Sequence, residues 1–167
     1  DGGGRNRRGV PQGADRRGTQ GWLRPNHRHP PFDNRKARQA LLHAVDQPPY
    51  LKALGVEKLA RPCAAMFGCG SPLESSAGAP GKPDVERARM LVRESGYDGR
   101  PVVILSAREV PLTTGAARVT RDLLLEMGFN VDVQTMDWTS VVARRAKKEP
   151  PGQGGWNVLF TWWPVSE

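Results

Sequence analysis

Between residues 101 and 138 the hydrophobic positions change period twice. Residues 101–107 (PVVILSA) form a short apolar run rich in β-branched side chains, the pattern of a buried strand. Ala116, Val119, Leu123 and Met127 then recur at steps of three and four, predicting one apolar face of a helix that runs to Met127. Thr113 or Thr114 supplies its expected N-cap hydroxyl. Gly128 is the expected left-handed stop, with Phe129 folding back onto Leu124. Residues 130–137 alternate Val131, Val133 and Thr135 against polar neighbours, the period of a second strand. Strand, helix and strand at this spacing predict a βαβ unit with parallel strands and a right-handed crossover, hence an α/β class.

The same patterns extend to both sides. Asp33 or Asn34 is the expected cap of a helix through Asp46, with Ala37, Ala40, Leu41, Ala44 and Val45 inward. Arg35, Lys36 and Arg38 crowd its N-terminal end, where cations oppose the helix dipole, so a carboxylate elsewhere is expected to offset them. Pro48 and Pro49 are expected to end this helix, and residues 50–54 to form a short second one stopped by Gly55. Asp84 caps a further predicted helix with Val85, Ala88, Leu91 and Val92 inward; Gly96 stops it and places Tyr97 to fold onto Val92. After Trp138, Thr139 or Ser140 is the expected cap of a helix to Lys148, and residues 156–162 read as a third strand. Residues 62–83 are an irregular stretch of Gly, Ser, Pro and Ala that holds both cysteines, Cys63 and Cys69. An exported protein would allow a disulfide between them, and a reducing compartment two buried thiols.

Composition changes this picture mainly at the N-terminus. Residues 1–20 hold six glycines and five arginines with almost nothing apolar, so they are expected to form a disordered tail, and residues 21–167 the folded part. The five arginines against two aspartates in that stretch leave about +5 of the formal +8 charge for the rest of the chain, a modest basicity. No apolar run approaches the roughly 18 residues of a membrane span, and residues 1–20 lack the apolar core of a signal peptide. A nucleic-acid module using residues 1–20 and the cations Arg144, Arg145, Lys147 and Lys148 is the alternative reading, but no aromatic in the tail offers stacking. A solvated face matched to the helix dipole is the expectation for residues 144–148.

Five segments, in order, resemble one family. PPFDNRKARQALLHAVD (30–46) preceded by Asn26, GCGSPLESSAG (68–78), DVERARMLVRESGYDG (84–99), MGFNVDVQTMDW (127–138) and GGWNVLFTWW (154–163) are each similar to segments of the family 5 extracellular solute-binding proteins. These are the dipeptide, oligopeptide and nickel receptors of ABC importers. The resemblance runs from Trp22 to the C-terminus, and residues 1–20 match nothing in it. It implies an incomplete, type II periplasmic-binding-protein-like α/β lobe, with a mixed, largely parallel sheet flanked by helices. It also implies a monomer in the periplasm or anchored at the cell surface, whose partners are a peptide or other small solute and an inner-membrane ABC permease. No nucleic acid is expected.

No catalytic signature competes with binding. There is no G-x-S-x-G elbow, Walker loop or H-E-x-x-H, and Gly68-Cys69-Gly70 is too short for a dinucleotide fingerprint, so no enzyme and no cofactor are expected. His27 and His29 lie two apart, and His43 is too remote in sequence to be assigned as a third metal ligand. The ligand site is expected beyond the carboxyl ends of the strands, where Trp162 and Trp163 end the third. Successive strand residues point to opposite faces, so Trp162 is expected in the core and Trp163 toward the cleft. The resemblance likewise places a cleft tryptophan at Trp163. Where peptide-binding members carry an aspartate for the ligand's amino terminus, this chain has Ser166, which implies a different recognition there.

Overall fold

The computed structural model describes residues 19–60, 62–65 and 69–164. In chain order it contains β1 (Thr19–Pro25), α1 (Arg35–Ala44), α2 (Gln47–Ala53), α3 (Val85–Glu94), β2 (Val102–Ala107), α4 (Pro111–Met127), β3 (Val131–Met136), α5 (Trp138–Arg145), a 3-10 turn (Pro151–Gln153) and β4 (Val158–Pro164). The four strands make one sheet in the order β1-β4-β2-β3. β2 is parallel to both of its neighbours, and β1 closes the sheet antiparallel to β4. The expected mixed, largely parallel sheet is thus present, with the predicted βαβ unit as β2-α4-β3.

β2 is buried along its whole length because helices cover both faces of the sheet. Val102 and Ile104 join a core with α1, α3 and α4, whose largest members are Phe32, Leu124, Met127 and Phe129. Val103, Leu105 and Ala107 point the other way, into a smaller cluster with Val141 of α5, Trp156 and Leu159. Tyr97, expected to fold onto Val92, packs on the core that contains Val92 and edge-on against Phe129, with ring centroids 4.8 Å apart. Phe129 N donates to the Leu124 carbonyl at 2.9 Å across Gly128, whose φ is 97°. The offsetting carboxylate for α1 is Glu94 of α3, 3.1 Å from Lys36 Nζ.

Several boundaries differ from the sequence reading, each for a physical reason. Thr19 and Gln20, assigned there to the tail, are the first residues of β1; the remainder of that tail, residues 1–18, lies outside the described residues. The segment TQGWLRP has little strand pattern of its own, and pairing with β4 makes it a strand. Pro48 and Pro49 lie in the first turn of α2, where a missing N–H costs nothing, so they start that helix as well as ending α1. α4 likewise begins at Pro111, with Val110 as its cap residue. Thr113 instead accepts a hydrogen bond from Ala107 N at 3.0 Å, taking a donor that β4 does not reach. The buried stripe of α4 is Ala116, Ala117, Thr120, Leu124 and Met127, while Val119 and Leu123 are only half-buried. α2 and α3 pack against α4 as well as the sheet, which rotates its buried face. Finally, Asp137 caps α5 in place of Thr139 or Ser140, and the helix ends at Arg145.

The amino end of the sheet is fastened by Asn157, which is fully buried. Its Oδ1 accepts from Val103 N at 2.9 Å and its Nδ2 donates to the Pro30 carbonyl at 2.9 Å, just before the cis Pro30-Pro31 bond. Asn26 N donates to Asn157 O at 2.7 Å, and Asn26 Nδ2 donates to Trp156 O at 3.0 Å.

Candidate functional site

The carboxyl edge of the parallel strands is where the loops converge. β2 runs into Arg108, Glu109 and Val110; β3 runs into Asp137 and Trp138; β4 runs through Trp162 to Pro164. Arg108 N donates to Met136 O at 2.8 Å, carrying the β2–β3 ladder one step past the strands. β2 and β4 by contrast pair only at Ile104–Val158 and Leu105–Leu159, so the two strands part toward this edge. Such an opening beyond parallel strand ends is the ordinary ligand position in open α/β sheets.

An aromatic pair occupies the opening. The rings of Trp138 and Trp162 lie 5.7 Å apart, inclined at 33°. Both are half-buried, and Trp138, like Val110 and Met136, packs against the small core. Trp162, expected wholly in the core, is half-buried, with its ring against that of the first residue of α5. The backbone of Trp163 pairs opposite Gln20 of β1. The Trp163 side chain and Ser166 lie outside the described residues.

Charged residues flank Trp138. Asp137 accepts from Ser140 N at 2.9 Å and from Ser140 Oγ at 2.6 Å. Those bonds, with help from the Arg108 guanidinium, hold the Asp137 carboxyl below the usual carboxylate range, so it stays ionised. Glu109 Oε1 accepts from Trp138 N at 2.7 Å. Arg108 and Glu109 are both exposed. Half-buried indoles with ionised groups at their margin suit a small polar ligand that stacks on one ring and hydrogen-bonds at the rim.

Other candidates are assigned to different work. Cys63 and Cys69, left open as a disulfide or two thiols, form a disulfide. The Gln47 amide holds Cys63 at both its N–H and its carbonyl, each at 2.6 Å. Gln20 Nε2 donates to Ala65 O at 3.1 Å, tying this bridge to the start of β1. His29 Nε2 donates to Lys148 O at 2.8 Å, and among the described residues no group of His, Cys, Asp and Glu could hold a metal. Arg144 is not part of a solvated face. Its guanidinium donates to Gly155 O at 2.8 Å and 3.1 Å, to Gly154 O at 2.9 Å and to Gln134 Oε1.

Sequence reasoning missed Trp138 and Glu109. The signal was present for Trp138, an Asp-Trp pair that ends one strand and starts a helix at the binding edge. Nothing local marks Glu109, whose partner lies 29 residues away.

The family model for bacterial extracellular solute-binding proteins, family 5 Middle, matches residues 5–166. That span begins inside the Gly/Arg stretch that the sequence reading set outside the family. The chain is 36% identical over 155 residues to a probable peptide ABC transporter periplasmic-binding protein of Sinorhizobium fredii, covering 90% of this chain and 29% of that one. It is 27% identical over 150 residues to the glutathione-binding protein GsiB of Escherichia coli, covering 88% and 28%. The chain thus spans under a third of the length of these curated relatives. Among solved structures, the ABC transporter substrate-binding protein CtaP of Listeria monocytogenes superposes with a TM-score of 0.77 at 18% identity, over 87% of this chain and 30% of that one. The binding protein AgaA of A. tumefaciens, solved with agropinic acid, gives 0.69 at 24%, over 88% and 29%.

Proposed function

The chain belongs to the family 5 bacterial extracellular solute-binding proteins, and we propose on that premise that it forms part of the ligand-binding lobe of an ABC-importer receptor. Its ligand is a peptide or a similarly small polar solute, captured outside the cytoplasmic membrane and handed to a membrane permease. The observation that carries this reading is the Trp138–Trp162 pair at the carboxyl edge of the sheet, rimmed by ionised Asp137 and exposed Arg108. Trp163 and Ser166, singled out by the sequence, are proposed as ligand contacts together with Trp162. The family names of the relatives support a peptide-like ligand, and the printed ligands of GsiB and AgaA, glutathione and agropinic acid, are small and polar.

A single lobe holds part of the contacts and encloses little of a ligand, so its affinity is expected to be low. The test must therefore sense weak binding. Indole N–H resonances of the isotope-labelled chain, followed while trialanine and then glutathione are added to millimolar concentration, meet that need. The expected result is saturable shifts of the Trp138, Trp162 and Trp163 signals with Trp22 and Trp156 unmoved. Shifts at none of the three, with either probe, sink the proposal. No observation favours the nucleic-acid alternative, since Arg144 is engaged by backbone carbonyls and the family match runs through residues 144–148.

A further inference from the structure

We propose that Glu109 is a positioning residue for the aromatic pair, reaching from the β2–α4 loop to fix the first turn of α5 and so the angle at which Trp138 meets Trp162. The functional half of this proposal rests on the ligand-binding reading above; the geometric half does not.

The first N–H groups of a helix have no partner within it. At α5 the N-cap carboxylate of Asp137 takes Ser140 N, two residues into the helix, and its second oxygen takes Ser140 Oγ. Of the two N–H groups before Ser140, that of Trp138 is the first of the helix. Glu109 Oε1 accepts it at 2.7 Å, a charge-assisted bond of the stronger kind. The two caps differ in what they can do. Asp137 belongs to the same turn it caps, and its hydrogen bonds stay within α5. Glu109 follows another strand, so its bond ties the start of α5 to the loop leaving β2.

The tie falls where backbone pairing stops. The ladder between β2 and β3 ends with Arg108 N on Met136 O, and Glu109 is the next residue. β2 and β4 have already parted by this level. Trp138 packs against the small core, and its ring lies 5.7 Å from that of Trp162. Its backbone N–H is met by a side chain from another loop, and its ring is the one that faces Trp162. An aromatic pair held at a set angle offers a ligand a prepared surface and spares it the ordering cost.

Two indoles this close couple their electronic transitions, and the resulting far-ultraviolet exciton couplet depends on their separation and angle. The couplet reads the proposed role directly, whereas a purely stabilising role changes only the unfolding midpoint. Trp138→Phe and Trp162→Phe should each abolish the couplet and so identify it. Glu109→Ala should lose most of it under conditions where the rest of the spectrum shows an intact fold. Glu109→Gln, which keeps an acceptor oxygen at the same reach, should restore it, and Glu109→Asp, one methylene shorter, should not. A wild-type couplet in Glu109→Ala overturns the proposal, as does its loss in Glu109→Gln. Should the alanine variant fail to fold, the comparison of Glu109→Gln with Glu109→Asp decides, and equal couplets in those two overturn it. For the functional half, trialanine affinity should weaken about fivefold in Glu109→Ala and recover in Glu109→Gln. Unchanged affinity beside a lost couplet overturns that half. A wild-type chain that binds no trialanine counts against the peptide reading, and the couplet then decides the role of Glu109 alone.

Discussion

Asn157 is the residue whose chemistry is most tightly specified. It has no exposed surface, and its amide accepts from Val103 N with one end while donating to Pro30 O with the other. An aspartate fits the space but, ionised, turns an oxygen toward the Pro30 carbonyl with no proton between them. Asn157→Asp is therefore expected to destabilise by about 3 kcal/mol at neutral pH, the scale of an unpaired buried charge. The penalty should shrink in acid, where a protonated carboxyl can donate again. Urea midpoints of the two proteins at neutral and acidic pH check this, and a pH-independent difference would assign the cost to packing. Leucines make a second test at this scale. Leu124 is fully buried and Leu123 half-buried, so Leu124→Ala should cost about 2–5 kcal/mol and Leu123→Ala distinctly less. Equal losses in urea unfolding would mean that the helix face has been placed wrongly.

At the scale of elements, the turn before β4 is held by a cation and admits no side chain. A Cβ on Gly155 would lie 1.8 Å from the Glu149 carbonyl oxygen, so the backbone has to move for any other residue. Gly155→Ala is expected to cost about 1–3 kcal/mol or more, as overpacking does. Arg144 spans from α5 to the carbonyls of Gly154 and Gly155 and to Gln134 of β3, joining three elements through one planar group. Lysine is a point charge and cannot reproduce that fork. Arg144→Lys should thus retain only part of the stability lost in Arg144→Met, itself about 1–3 kcal/mol for the carbonyls left unpaired. Thermal midpoints of the pair settle the matter; a lysine variant equal to the native chain would show that charge alone suffices. Sequence legibility was uneven at this scale. Asp84 and Asn34 were readable as caps because a cap side chain bonds within its own turn. Arg144 was not, because its partners are carbonyls ten and eleven residues on, which no local pattern marks.

For the whole molecule, shifted titrations lie on both sides of neutrality, Asp137 in acid and Tyr50 and Tyr97 in alkali, each tyrosine raised chiefly by desolvation. Asp137 has its carboxyl lowered by Ser140 and Arg108, so its contribution is present above the ordinary carboxylate value and is lost as pH falls through the lowered one. Tyr50, buried against Phe160 and bonded to Thr120 Oγ1, has its phenol raised by desolvation. Its contribution is complete below the ordinary phenol value and is lost as pH rises through the raised one. A plateau between the two limits is expected, with Asp137→Asn flattening its acid side and Tyr50→Phe its alkaline side. Midpoints across the pH range test both, and an unchanged acid slope in Asp137→Asn would remove that residue from the account. Topology yields one further expectation. Deleting residues 1–18 should change stability by less than about 1 kcal/mol, on their composition. Deletion through Pro25 removes the antiparallel partner of β4 and should leave a chain that no longer unfolds cooperatively.

What the sequence determined by itself was whatever a short window can encode. The buried run of β2, the glycine stop at Gly128, the alternation of Val131 and Val133 and the five family segments in order are all local, and together they were enough for the α/β class and the family. Tertiary structure decided the rest, because those features depend on neighbours distant in the chain. β1 is a strand because β4 offers it an edge. The inward face of α4 is set by helices on two sides as well as by the sheet. Trp138 and Trp162 come together because the ends of β3 and β4 lie on either side of β2, a proximity that no spacing within one element can show.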